Sequence, residues 1–323
     1  MLVSLALAGG LLALLVVWAD LDWATFKATW RSLPLEVYLL ALGLHAALYF
    51  LRAHRFRLLL PRDDRPPFSQ VLAVSAAHNL AAFVLPAKTG EVSLVVYLKR
   101  VCGVSGAAGL ASLLVSRLLD LGMLIGSVGL ACLFVESLDG GALPAWVRPS
   151  GGLLLLGSVV FFALAMRGDS LIAVYSFIAR VTRFEQTQHG KRVAARAAEV
   201  ADSLRLAGRR WVGAALLSIP IWIGAYLFFA VLARGFGLPE SVTLAEAAFG
   251  SGLALAANIL PINGFAGFGT QEMGWGAGFV ALGVEPKLAF SSGLGAHIVQ
   301  LTNICVMGVI GHLAMGMFPQ RDE

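Results

Sequence analysis

The stretch Asn258-Ile-Leu-Pro-Ile-Asn-Gly-Phe-Ala-Gly-Phe-Gly-Thr-Gln-Glu272 lies inside a long apolar region, yet it carries a proline, three glycines and a polar end at Thr270, Gln271 and Glu272. A helix that merely spans lipid has no use for such a sequence. Glycine and proline interrupt the helix, and backbone groups freed at membrane depth must be satisfied by protein or by a water-lined cavity. A second stretch reads the same way: His78-Asn-Leu-Ala-Ala-Phe-Val-Leu-Pro-Ala-Lys-Thr-Gly-Glu91. Both run Asn, Pro, Gly, Glu. One such break in each half of a membrane protein points to a binding site near the bilayer midplane.

Working outward, the chain is 58% hydrophobic and only 13% charged, about half the charged share of a soluble domain. Its apolar runs are continuous rather than alternating, which predicts an all-α, polytopic helical membrane protein and excludes a barrel. Candidate spans fall at about 2–19, 35–51, 107–135, 151–167, 211–234 and 288–316. Leu2 to Trp18 lacks a basic start and is followed by Asp20 and Asp22, so it reads as a first span rather than a cleaved signal. Between the spans lie the broken regions 68–101 and 243–284. Several of their arms are shorter than the roughly 20 residues a crossing needs. The economical reading makes each a re-entrant hairpin, for a total of six spans plus two hairpins; short tilted spans are the alternative.

Charge sets the orientation. With the N-terminus inside, the segments 52–67, 98–106, 167–210 and the tail carry 17 of the 24 Lys and Arg, against 5 in the opposite loops, as the positive-inside rule requires. Both termini are then cytoplasmic. The first hairpin opens to the cytoplasm and the second to the outside, an inverted repeat with halves at about 35–135 and 211–316 inside one integral membrane domain. The net charge of +5 reflects this topology and not nucleic-acid binding. The basic segment 180–210 reads either as an amphipathic helix on anionic lipid headgroups or as a solvated linker. Cys102, Cys132 and Cys305 have no metal or redox spacing, and no cofactor or metal is expected.

At the breaks the sequence resembles the transmembrane domain of the lysylphosphatidylglycerol synthase family, the flippase-like half of the bacterial multiple peptide resistance factor and its stand-alone relatives. The matching residues are Arg52-Ala-His-Arg-Phe-Arg57; Asn79 with Leu85-Pro86 and Gly90-Glu91; Ser116-Arg117 with Asp120; Leu260-Pro261-Ile262; Gly267-Phe-Gly-Thr270 with Glu272; and Leu282-Gly283-Val284. They extend over about residues 35–316. The full synthase carries a soluble aminoacyl-transferase domain after the membrane part, and none is read before Glu323. The resemblance therefore implies a lipid translocase of the bacterial inner membrane without synthase chemistry. Its implied substrates are phospholipids, polyprenyl-phosphate-linked lipids or hopanoids.

Ionisable groups at membrane depth are functional candidates by default. Lys88, with Thr89 and Glu91 beside it, reads as an anion site at a helix start, or as a pair with Glu91 or Glu272 that holds the break together. Arg117 and Asp120, three apart, share a helix face. They form an internal ion pair, or Arg117 contacts a lipid phosphate that Asp120 helps to orient. Gly267 and Gly269 let backbone approach a ligand. Thr270 reads as an N-cap, and Glu272 either as a cavity wall facing Lys88 and Arg117 or as a residue of the first helical turn. Asn79, Asn258 and Asn263 satisfy freed backbone and line the same site. His297 reads as a packing or interfacial histidine. The substrate-binding set is completed by a membrane lipid, expected to have an anionic headgroup; the oligomeric state stays open. Two other readings are a membrane-embedded lipid-modifying enzyme using Glu91 and Glu272, and a non-transporting partner of lipid or glycan synthesis enzymes.

Overall fold

A computed structural model describes residues 27, 30–31, 33–61, 65–138, 140, 143–165, 210–259 and 265–319. The expected first span, the basic segment from 166 to 209, and Asn263 lie outside the described residues. The regular secondary structure of the described residues is helical, with α1 (Leu35–Leu59), α2 (Phe68–Val84), α3 (Ser93–Cys102), α4 (Gly106–Phe134), α5 (Val147–Ala165), α6 (Arg210–Gly235), α7 (Leu244–Ile259), α8 (Thr270–Ala281) and α9 (Pro286–Gly316) joined by short turns and loops. Of these, α1, α4, α6 and α9 are long and apolar enough to cross a membrane.

Local chemistry sets the boundaries. Pro61 follows the end of α1, and Pro67 precedes α2. Leu85, forced toward extended backbone by Pro86, ends α2 at ψ 135. A short 3-10 turn, Pro86–Val92, then leads into α3. Gly103, at φ 69, stops α3 in the left-handed region, where glycine meets no steric penalty. Ser105 caps α4 by accepting from the Ala108 amide at 3.2 Å. Glu246 accepts from the Thr243 amide at 2.8 Å, and the Thr243 hydroxyl in turn accepts from Ala245, a reciprocal cap at the start of α7. Glu285 caps α9 through the Lys287 and Leu288 amides, with Pro286 at the first position, where its missing N–H costs nothing.

Small residues show which helices run side by side. A Cβ on Gly278 would stand 2.2 Å from the Gly250 carbonyl, and one on Gly274 would meet Ala254 at 2.6 Å. Thus α7 and α8 pack antiparallel, backbone against backbone. By the same reading Gly213 faces Leu58 and Gly224 faces Leu48, pairing α6 antiparallel to α1. Gly122 faces Phe162 and Gly129 faces Leu154, pairing α4 with α5. Gly308 faces Leu80 and Gly311 faces Ala77, pairing α9 with α2. Trp222 and Tyr226 of α6 reach Asp120 and Ser127 of α4, so those two helices run parallel.

These pairings place the two ends of each broken region at the same end of the bundle. The Glu136 amide donates to Glu246 at the start of α7, and the Leu138 amide donates to the Leu282 carbonyl just past α8. Both ends of the second broken region therefore meet the same end of α4. The first region begins after α1 and returns through α3 to Gly103 and the opposite end of α4. Each broken region is a hairpin, and the two open toward opposite ends of the bundle.

One boundary differs from the sequence reading. Residues 52–59 continue α1 instead of forming a loop, because no breaker intervenes before Pro61. That extension carries Arg52 and Arg55 into the protein.

Candidate functional site

A polar cavity lies where α1, α2, the first break, α4 and α6 meet. Its polar lining includes Tyr49, Arg52, Arg55, His78, Asn79, Lys88, Glu91, Arg117 and Asp120, and its aromatic and aliphatic lining includes Trp222, Phe228, Phe229, Leu255 and Ile304. Its volume is about 160 Å³ counted at the centres of water molecules, where one water needs roughly 10–15 Å³. A small headgroup fits with water around it. Asp120 lies near the middle of the 29-residue α4, about 21 Å from its start at 1.5 Å per residue.

The helical repeat delivers the side chains. His45, Tyr49, Arg52 and Arg55 recur at spacings of three and four on α1 and face the cavity together. Ser75, His78 and Asn79 come from the facing turn of α2. Lys88 and Glu91 come from the 3-10 turn, where Lys88 has φ 59. Ala266, in the second break, has φ 50, and among the described residues these two are the non-glycines with positive φ. Such backbone costs on the order of 1–3 kcal/mol and persists only where surrounding packing holds it. Gly90 is pressed so closely on α2 that a Cβ there would stand 2.0 Å from the Ala81 carbonyl.

The charged groups form a chain of alternating sign. Arg117 holds Glu91 through Nε at 3.0 Å and Nη2 at 2.8 Å. Its Nη1 donates to Asp120 Oδ2 at 3.1 Å. Arg55 grips both oxygens of Asp120, at 2.8 and 3.1 Å, and its Nη1 also donates to Ser218 of α6 at 2.8 Å. Trp222 Nε1 donates to Asp120 Oδ1 at 3.4 Å. Asp120 thus ties α1, α4 and α6 together. Two-armed guanidinium–carboxylate contacts are the strong kind. Around the chain, Asn79 donates to the Tyr49 hydroxyl at 2.7 Å, and His78 Nδ1 meets Ser93 Oγ at 3.0 Å.

Five of the expected residues converge here: Asn79, Lys88, Glu91, Arg117 and Asp120. Thr89 is exposed and outside the lining. Asn258 sits in the last turn of α7. The second break departs from expectation, because Glu272 does not line the cavity. It is 0% exposed, accepts from the Gly269 amide at 2.7 Å and meets His297 Nδ1 at 2.6 Å. The other nitrogen of His297 lies 3.0 Å from the Ala266 carbonyl. A turn with Gly267 and Gly269 both at φ 81 leaves amides needing acceptors, and Glu272 supplies one. Gly269, not Thr270, is the cap residue; the Thr270 hydroxyl donates back to the Gly267 carbonyl at 2.9 Å. His297 is therefore a bonded partner and not a packing histidine.

Arg52, Arg55 and Trp222 also belong to the site; the sequence reading has the two arginines only as part of a motif of the family resemblance and places them in a basic loop, and it does not single out Trp222. The available signal was the three- and four-residue spacing from His45 through Arg55, hidden because a basic run after a span reads as a loop.

A family model described as Lysylphosphatidylglycerol synthase TM region matches residues 1–308, and the chain belongs to that family. No curated protein matches the chain.

Proposed function

We propose that this member of the lysylphosphatidylglycerol synthase TM region family moves an amphipathic lipid with an anionic headgroup between the leaflets of a bacterial inner membrane. The observation that carries the reading is the cavity itself: four cationic and two acidic side chains gathered from the end of α1, the first break and the middle of the long apolar α4. A charge at the centre of a membrane helix costs roughly 2.5–3.5 kcal/mol even on the most lenient scale. Six together are retained where they perform a task.

The headgroup meets the polar lining residues, and the aromatic and aliphatic ones receive the first carbons of the lipid tails. The two hairpins that open to opposite ends, taken as an inverted repeat, suit exposure of such a site to each face in turn. Both termini are read as cytoplasmic. An enzyme reading requires a pair of carboxylates free to act as acid and base, whereas Glu91 is engaged by Arg117 and Asp120 by Arg55 and Arg117. Glu272, the counterpart of Glu91 by sequence, is occupied by Gly269 and His297, so transport without covalent chemistry is the better reading.

The test is leaflet exchange in proteoliposomes, with labelled phosphatidylglycerol, a polyprenyl phosphate and a hopanoid in separate preparations. Acceleration of at least one, lost in Arg117→Ala, is expected. No acceleration of any of them overturns the proposal.

A further inference from the structure

Glu272 and His297 are both fully buried, at 0% exposure, and neither lines the cavity. Their bonds fix how many protons they carry. His297 Nε2 lies 3.0 Å from the Ala266 carbonyl oxygen. A carbonyl oxygen only accepts, so Nε2 carries a hydrogen. His297 Nδ1 lies 2.6 Å from Glu272 Oε1, a separation that requires a second hydrogen between them. The other carboxyl oxygen is taken by the Gly269 amide at 2.7 Å. The pair therefore holds two protons. It is an imidazolium beside a carboxylate or an imidazole beside a carboxylic acid, and it is neutral in both forms.

We infer that the proton between Glu272 and His297 is an exchangeable latch on the second hairpin: the closed hairpin binds it, and opening releases it to water. The latch itself stands apart from the lipid-transport reading; only its link to transport rests on that reading.

With the shared proton gone, one hydrogen remains for two ring nitrogens. If it stays on Nε2, the Nδ1 lone pair faces a carboxylate oxygen. If it moves to Nδ1, the Nε2 lone pair faces the Ala266 carbonyl. Either way a buried bond between α9 and its neighbours is lost. Ala266 has φ 50, a backbone that persists only while its surroundings enforce it. The Phe268 ring lies on His297 with centroids 4.6 Å apart, so a shift of the imidazole moves the break as well. Gln271, beside Glu272, donates to Gln300, and Gln300 lines the cavity. Movement of the second break thus reaches the cavity wall.

Among the described residues, neither member of the pair bonds a further charged group. The titratable groups on the elements around it are engaged or distant. On α2, whose Phe83 meets the His297 ring, His78 bonds Ser93. Glu246 caps the start of α7, and Arg234 of α6 bonds the Val242 carbonyl. Lys287, Cys305 and His312 of α9 are at least eight residues from His297, about 12 Å or more along the axis. Lys88 and Glu91 share the cavity with Gln300.

The open hairpin binds one proton fewer than the closed one, so raising the pH favours opening, by up to about tenfold in the equilibrium per pH unit. The experiment is amide hydrogen exchange of the full chain in detergent, between about pH 5 and pH 8. Protection of residues 266–272 is taken relative to intrinsic exchange, which removes the chemical effect of pH, with the middle of α4 as reference. In the wild type this protection is expected to fall as pH rises while α4 stays constant. Glu272→Gln keeps a hydrogen toward Nδ1 and an acceptor for Gly269, so it is expected to stay protected at every pH. His297→Phe keeps a ring but loses both bonds, and it is expected to be poorly protected at every pH. Flat protection in the wild type overturns the inference, as does a slope that persists in Glu272→Gln. Leaflet exchange that varies with pH in the wild type and not in Glu272→Gln joins the latch to transport. Absent exchange with pH-dependent protection counts against transport alone, and normal exchange with flat protection counts against the latch alone.

Discussion

Replacing Asp120 by Asn separates a structural ion network from a decorative one. Asp120 accepts two bonds from Arg55, one from Arg117 and one from Trp222. The Arg55 side chain is 2% exposed and that of Asp120 14%. The Asp120→Asn change keeps the shape but removes the charge that two guanidiniums share, and it points an N–H toward one of them. Breaking one side of a buried pair costs about 3–5 kcal/mol, because the remaining charge stays buried. Glu91→Gln is the internal comparison. Glu91 and Arg117 are 20% and 41% exposed at their side chains, and a screened pair of this kind contributes roughly 0–1 kcal/mol. At roughly 2–4 °C per kcal/mol for a domain of a few hundred residues, Asp120→Asn lowers the melting temperature of the detergent-purified protein by on the order of 10 °C, and Glu91→Gln by a few degrees at most. The double variant Arg55→Gln with Asp120→Asn removes both charges, and it is expected to recover about 2 kcal/mol relative to the sum of the single changes. Equal losses for Asp120→Asn and Glu91→Gln, or strict additivity in the double variant, would refute the view that Asp120 holds the bundle together.

Gly278→Ala is expected to force α7 and α8 apart, since its Cβ would lie 2.2 Å from the Gly250 carbonyl; the check is a fall in melting temperature of several degrees, with Gly157→Ala, which meets nothing within 4 Å, as a silent control. Glu272→Ala removes a buried cap and its contact with His297, so it lowers thermal stability by roughly 1–3 kcal/mol while leaving the choice among lipids in the leaflet-exchange assay unchanged; a changed choice with normal stability would return Glu272 to the site. Sidedness labelling tests the hairpins: with Cys102, Cys132 and Cys305 replaced, cysteines introduced at Glu240 and Lys287 react with an impermeant thiol reagent from one membrane face and a cysteine at Arg100 reacts from the other. Reaction of the Glu240 and Lys287 variants from opposite faces would instead mean that the second broken region crosses the membrane.

Much of the architecture is written locally. Pro86 and the glycines around Ala266 interrupt apolar runs, and interruption at membrane depth has few structural solutions, so both broken regions are legible before any coordinates. Lys88, Glu91, Arg117 and Asp120 stand out because charge is rare in such runs. Arg52 and Arg55 do not, because the same basic residues just past a span also serve to orient a membrane protein; only the extension of α1 to Leu59 turns them inward. Glu272 looked like a site residue because its partner, His297, lies 25 positions away on another helix, and no local pattern announces a bond made by tertiary packing. Trp222 reads in the sequence as one more aromatic in a span, and only its neighbour Asp120 reveals its polar end at work.

The uneven burial of the ion chain also sorts the molecule into frame and moving part. Through Asp120, α1, α4 and α6 share buried charge, and sliding any one of them strands a guanidinium in a dry interior. The first break is joined to that frame by the Glu91–Arg117 contact, whose members are partly open to solvent and can exchange one another for water at little cost. On its other flank the break is seated on α2 through Gly90. The weaker join of the ion chain therefore lies between the first break and α4, whereas α2 on the other flank is held close against α9 at Gly308 and Gly311.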